Sequence, residues 1–128
     1  MEPKRNSGAL AVLDGWRGEV FAALYAPDGS RLWGPAVYRP EELSARIASL
    51  GETPQVAGSG AVRFRQELAR DGVRIADDSD PVHRVAARHV CALAAAATDP
   101  EPDGLAPIYL RPPDAERWRE RDASQRAK

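Results

Sequence analysis

Glu19-Val20-Phe21-Ala22-Ala23-Leu24-Tyr25 is apolar on both of its alternating faces, Val20, Ala22 and Leu24 on one and Phe21, Ala23 and Tyr25 on the other. Side chains alternate across a strand, so this pattern predicts a β-strand covered on both sides. Working outward, Ala9 to Leu13 is a second apolar run, ended by Asp14-Gly15. The connection Asp14-Gly15-Trp16-Arg17-Gly18 supplies glycines for positive φ and suits a hairpin, and Pro27-Asp28-Gly29 makes the next turn by the same chemistry. Arg31 to Tyr38 returns as a third strand, interrupted by Gly34-Pro35. Proline cannot donate to a ladder, which places this strand at a sheet edge or at a bulge. A three-stranded antiparallel meander therefore opens the fold.

Beyond Tyr38 the period changes. Pro40 suits a first helical position, Leu43, Ile47 and Leu50 recur at helical spacing, and Gly51 can close the helix. Gln55 to Ala57 reads as a short strand running into Gly58-Ser59-Gly60, and Ala61, Phe64 and Leu68 share one face of a helix ending at Gly72. Val73 to Ala76 is a further strand. Asp80-Pro81 then supplies a cap and a first-turn proline for the longest predicted helix, Val82 to about Ala97, with Val82, Ala86, His89 and Leu93 on its apolar face. Thr98 to Gly104 is a polar, proline-rich linker. Strands alternating with helices predict an α/β fold with a mixed sheet and flanking helices.

The 128 residues, 43% of them hydrophobic, suffice for one modest core. Eighteen basic against nineteen acidic side chains give a net charge of −1, and no basic run is interleaved with aromatics, which argues against direct nucleic-acid binding. The single cysteine, Cys91, excludes an internal disulfide. No apolar run approaches the ~20 residues needed to span a bilayer, so no membrane association is expected. Residues 1–7 are polar and lack the apolar stretch of a secretory signal. These features point to the cytoplasm, with residues 1–7 a disordered tail, 8–118 the folded unit and 119–128 a charged, frayed tail.

Few residues carry the spacing of a catalytic site. Gly58-Ser59-Gly60 lies between strand and helix, where backbone amides could meet a phosphate, but it lacks the lysine and Ser/Thr of a P-loop and the third glycine of a dinucleotide fingerprint. It reads first as a structural turn and only weakly as nucleotide-proximal. His83 and His89 would point about 120° apart on one helix, without ligand spacing, so no metal site is expected. His89 reads as a core or interface histidine. Asp14 and Glu19 could form an acid–base pair, yet an Asx turn at Asp14 and a strand-end contact of Glu19 with solvent or Arg17 explain them more simply. Trp16, Trp33 and Trp118 are candidate interface anchors, with packing over the core edge as the alternative. Trp118, set in Glu116-Arg117-Trp118-Arg119-Glu120-Arg121, is the strongest.

Two segments carry a family resemblance. Leu13-Asp14-Gly15-Trp16-Arg17-Gly18-Glu19-Val20-Phe21 and Pro107-Ile108-Tyr109-Leu110-Arg111-Pro112-Pro113-Asp114-Ala115-Glu116 occur in the order and at about the separation seen in the TsaB family. That family is the non-catalytic subunit of the bacterial tRNA threonylcarbamoyladenosine synthase. Its segments read roughly Asp-Ala-Arg-Arg-Gly-Glu-Val-Tyr and Pro-x-Tyr-Leu-Arg-x-Pro-Asp-Ala. Here Gly15 and Trp16 stand where Ala and Arg are usual. The chain from about Gly8 to Trp118 resembles the C-terminal lobe alone, and lacks the opening Asp-Thr-Ser-like strand of a first lobe.

The resemblance implies an RNase H-like half of the actin-like ATPase (ASKHA) fold. It further implies a scaffold without catalysis or cofactor, serving a TsaD-like catalytic subunit and a TsaE-like ATPase through the full-length protein, with a possible homodimer. Asp14, Arg17, Gly18, Glu19, Tyr109, Arg111 and Asp114, at positions matching the family segments, are with Trp118 the interface or structural candidates. A chain holding one lobe is expected to be half of a two-lobed protein. The competing expectation is a small nucleotide-binding lobe of an actin-like kinase, using Gly58-Ser59-Gly60 and Asp14.

Overall fold

The computed structural model describes residues 8–69, 73–97, 106–112 and 114–127. Strands β1 (Ala9–Asp14), β2 (Val20–Tyr25) and β3 (Arg31–Tyr38) form the expected meander, and β4 (Gln55–Ala57) and β5 (Arg74–Ile75) join the same sheet. The order across the sheet is β3-β2-β1-β4-β5. β1 pairs antiparallel with β2 from Ala9 opposite Tyr25 to Asp14 opposite Val20, and parallel with β4 from Ala9 opposite Gln55 to Ala11 opposite Ala57. The result is a five-stranded mixed sheet with helices at its side.

β3 lies at the edge, where Gly34-Pro35 predicted it, and its pairing with β2 shifts register around Leu24. The Gly34-Pro35 peptide bond is cis. The turn at Pro27-Asp28-Gly29 is held by Asp28, whose carboxylate accepts from both the hydroxyl and the amide of Ser30. Those two hydrogen bonds hold the Asp28 carboxyl below its ordinary pKa.

One face of the sheet carries the core. Leu10 and Val12 of β1, Val20, Ala22 and Leu24 of β2 and Val56 of β4 are buried there. Helix α1 (Pro40–Ala48) adds Leu43 and Ile47 to that cluster. Pro40 opens it as predicted, Glu42 accepts from the Arg39 amide at 3.3 Å, and Gly51 takes a left-handed conformation beyond its end. Ala61 and Leu68 complete the core from α2 (Ser59–Arg63) and α3 (Arg65–Leu68). The single helix expected through this region is thus two short ones, broken at Phe64. The Arg65 side chain turns to the end of β5, as described below, and the break at Phe64 lies directly before it. The expected helix end at Gly72 lies outside the described residues.

The other face departs from expectation. Ala9, Ala11 and Leu13 of β1 are exposed, whereas β2 is partly covered there as well, with Phe21 and Tyr25 half-buried, so its second side is covered in part. Only Ala23 is buried there, beside the Gly34 backbone of the edge strand.

Helix α4 (Ala87–Ala96) begins five residues later than predicted and buries none of its side chains. Asp80 does act as a cap, accepting from the Val82 amide at 2.9 Å, but it caps a 3-10 turn at Pro81–His83. His83 is then pinned to the sheet, which holds Arg84 and Ala86 extended and delays the helix. His89 consequently lies in the open, not in a core. Helix α5 (Asp114–Arg126) replaces the frayed tail expected at 119–128. Alternating acidic and basic residues there suit a solvated helix. Residues 1–7 and the linker over 98–104 lie outside the described residues.

Leu43 has no exposed surface. Leu43→Ala is expected to lower unfolding free energy by about 2–5 kcal/mol in urea denaturation, because it leaves a cavity between α1 and the sheet.

Candidate functional site

β1, β4 and β5 run parallel, and their carboxyl ends gather the residues with chemical character. Ligands of open α/β sheets commonly bind at this edge. Asp14 ends β1, Gly58-Ser59-Gly60 follows β4, and the 3-10 turn with His83 follows β5.

Asp14 is engaged at every polar atom that faces this edge. Its Oδ1 accepts from the Trp16 amide at 2.9 Å, the Asx turn the sequence predicts, and its Oδ2 meets Arg63 Nη1 at 3.1 Å. Its own amide donates to Ser59 Oγ at 3.0 Å. The hairpin that follows is closed by hydrogen bonds from Gly15 N to Glu19 O and from Glu19 N to Trp16 O. Trp16 and Arg17 both adopt positive φ, 59° and 60°, ahead of Gly18 at 76°. Two side-chain-bearing residues in the left-handed region cost roughly 1–2 kcal/mol each. The ion pair and the Asx turn at the base of the hairpin offset that strain and leave Trp16 exposed at its tip.

Glu19 does not pair with Asp14 for acid–base work. Its Oε2 lies 3.1 Å from Arg111 Nη1, across a sequence separation of 92 residues. Arg111 also donates to Trp16 O at 3.4 Å and sits 5.6 Å from the Phe21 ring centroid. The two carboxylates singled out in the sequence therefore each hold an arginine, Asp14 with Arg63 and Glu19 with Arg111. Arg111 brings the two segments of the family resemblance together, a contact no spacing rule could have shown.

The Gly58-Ser59-Gly60 turn has a packing role. A Cβ at Gly58 would lie 2.1 Å from Val12 O, and one at Gly60 would lie 2.8 Å from Val12 Cγ1 and 2.9 Å from Leu13 C. Both positions need glycine so that α2 can sit directly on β1. The Gly58 amide, which a phosphate would require, donates instead to His83 Nδ1 at 3.1 Å.

His83 is the residue that sequence reading passed over in favour of His89. It is buried, and its Nε2 lies 2.9 Å from Ala76 O. A carbonyl on one side and an amide N–H on the other set the tautomer, with the proton on Nε2. Arg65 completes this latch. It donates to Ile75 O at 3.0 Å and to Ala76 O, and meets Asp78 Oδ1 at 2.7 Å. The only advance signal was Asp80-Pro81, which marks a turn start and so brings the third residue after Asp80 back toward the sheet.

The remaining candidates are scattered. Arg17 and Gly18 are exposed at the hairpin tip, and Tyr109 is exposed beside Arg111. Asp114 opens α5, and its side chain lies outside the described residues. Trp118 is exposed on α5. Trp33 takes the packing role, with Arg46 4.5 Å from its ring centroid and Tyr38 edge-on at 5.8 Å. Among the described residues, no cluster of three His, Cys, Asp or Glu could hold a metal ion, and no helix is long and apolar enough to cross a membrane.

No protein-family model matches this chain, and no curated protein is significantly similar to it. Its site is therefore read from geometry.

Two measurements check that geometry. His83→Ala is expected to cost about 1–3 kcal/mol in denaturation, since it strands the buried Gly58 amide, whereas His89→Ala should change stability by less than about 0.5 kcal/mol. A double-mutant cycle on Glu19→Ala and Arg111→Ala should give a coupling near 1 kcal/mol that shrinks at high salt, as expected of a partly exposed ion pair.

Proposed function

We propose that the chain is a non-catalytic scaffold lobe of the TsaB type, with an RNase H-like core of the ASKHA class, working in the cytoplasm. It supports a TsaD-like subunit in threonylcarbamoylation of the adenosine beside the anticodon. The observation that carries this reading is the Glu19–Arg111 ion pair, which joins the two segments resembling the family across 92 residues. Segments matched for unrelated reasons would have no cause to share a charge-assisted hydrogen bond. The strand order β3-β2-β1-β4-β5, an antiparallel meander followed by two parallel strands, supports the RNase H-like assignment.

The chemistry of the carboxyl edge supports a scaffold as well. Asp14, Glu19 and the Gly58 amide are each bound to a neighbour within the fold, so binding a nucleotide or activating a water here would first have to break internal contacts. Trp16 and Tyr109, both exposed, present a surface to other proteins.

Reconstitution tests the proposal. The chain, mixed with a separately expressed first lobe of a TsaB protein, a TsaD-like subunit and a TsaE-like ATPase, should raise the yield of threonylcarbamoyladenosine in tRNA above that of the mixture without it. Arg111→Ala should diminish that gain. No gain would overturn the proposal. Tight, saturable binding of ATP and Mg²⁺ by the chain alone would favour an actin-like kinase lobe instead.

A further inference from the structure

Among the described residues, His83 is the buried titratable side chain, 8% exposed. Both of its ring nitrogens are engaged, and both partners are backbone groups with no choice of role. The Gly58 amide can only donate, at 3.1 Å to Nδ1, and the Ala76 carbonyl can only accept, at 2.9 Å from Nε2. That pair of contacts admits the neutral ring alone. An imidazolium carries a proton on each nitrogen, so its Nδ1–H would point at the Gly58 N–H and leave two buried donors facing each other without an acceptor. The charges around the ring do not offset this. Arg65 of α3 donates to the same Ala76 carbonyl, so a charged ring would meet a second cation there. Asp78 is bound to Arg65, Asp80 accepts from the Val82 amide, and Arg63 of α2 is paired with Asp14. Among the described residues, neither these carboxylates nor Asp77, Arg74 or Arg84 is hydrogen-bonded to the ring, whose two contacts are to backbone.

We propose that His83 is a proton-operated latch, which ties the Pro81–His83 turn to the β4–α2 turn in neutral solution and releases it in mild acid. Linkage fixes the sign. The released ring accepts a proton that the latched ring excludes, so opening takes up one proton and becomes easier as the pH falls. The stabilisation is present above the range in which a free histidine titrates and is lost below it. A histidine in water takes up its proton around pH 6.5, so the opening equilibrium should rise by up to about thirtyfold between about pH 7.5 and about pH 5. The geometry also says where the opening stops. Ala76 O keeps Arg65 as a donor when His83 leaves, and Gly58 stays in place because its backbone is packed against Val12. What is freed is the chain beyond β5, namely the Pro81–His83 turn, the extended residues Arg84 and Ala86, and through them the start of α4, which has no buried side chain to hold it. The core cluster contains none of these residues, so the sheet stands while the latch opens. This inference is independent of the proposed scaffold role.

Amide hydrogen exchange on the full chain, read residue by residue by NMR and corrected for the intrinsic effect of pH on exchange, tests the latch. Between about pH 7.5 and about pH 5 the protection of the Gly58 amide should fall about ten- to thirtyfold, while the amides of the β1–β2 pairing keep theirs. His83→Asn retains an acceptor but does not titrate, so it should abolish this dependence, whereas His89→Asn, at an exposed position on α4, should leave it intact. The imidazole nitrogens of the unaltered chain give a reading that needs no variant. At neutral pH their spectra should place the proton of His83 on Nε2 and none on Nδ1. A Gly58 amide protected throughout or unprotected throughout, a loss shared equally by the β1–β2 amides, an unchanged dependence in His83→Asn, or a ring protonated on both nitrogens while Gly58 stays protected would each overturn the proposal.

Discussion

The approach of α2 to β1 is the constraint on which the rest of the structure depends. Gly58 and Gly60 have no side chains, so the backbone of the β4–α2 turn rests against the carbonyls of Val12 and Leu13. That closeness sets β4 beside β1 in parallel register and so turns an antiparallel meander into a mixed sheet. It also explains why the core lies where it does. With α2 against β1, Ala61 joins Val12 and Val56 in the core, and α1 and α3, packed against each other, add Leu43, Ile47 and Leu68.

Everything at the carboxyl edge is fastened to that contact. The Gly58 amide, turned away from β1, is met by His83, whose other nitrogen reaches Ala76 O at the end of β5. Arg65 donates to the same carbonyl and anchors Asp78. On the meander side, Asp14 ties the hairpin to Ser59 and Arg63 of α2. Polar side chains here replace the apolar packing that so short a strand as β5 cannot provide. Each is worth about 1 kcal/mol, but each also prevents a desolvated backbone group from going unpaired, and the second effect is the larger.

Local signals made the first half of the fold legible. Both turns of the meander contain an Asp-Gly pair, Pro40 marks the start of α1, and Leu43 and Ile47 repeat at a helical interval. These features act over a few residues, so sequence position alone reports them. The second half depends on contacts across 10 to 92 residues, of which Arg65–Ile75, Gly58–His83 and Glu19–Arg111 are the clearest. No pattern of hydropathy announces such pairs. His89 and His83 show the consequence. Periodicity favoured His89 as the interior histidine, on the premise of one helix from Val82 to Ala97. A cap at Asp80 that starts a 3-10 turn breaks the premise, and the buried histidine is the one inside that turn.

The same interruption explains why α4 buries none of its side chains. A helix continuous from Val82 would have left β5 at an angle set by β5 itself, and its stripe of Val82, Ala86, His89 and Leu93 would have faced the sheet. Pinning His83 at the carboxyl edge moves the helix start to Ala87 and rotates the stripe to Ala86, Val90, Leu93 and Ala97. Burial of Val90 and Leu93 would contribute roughly 1.5–3 kcal/mol each, a large fraction of the 5–15 kcal/mol by which domains of this size are stable. The latch at His83 is therefore both what secures the carboxyl edge and what sets where α4 begins.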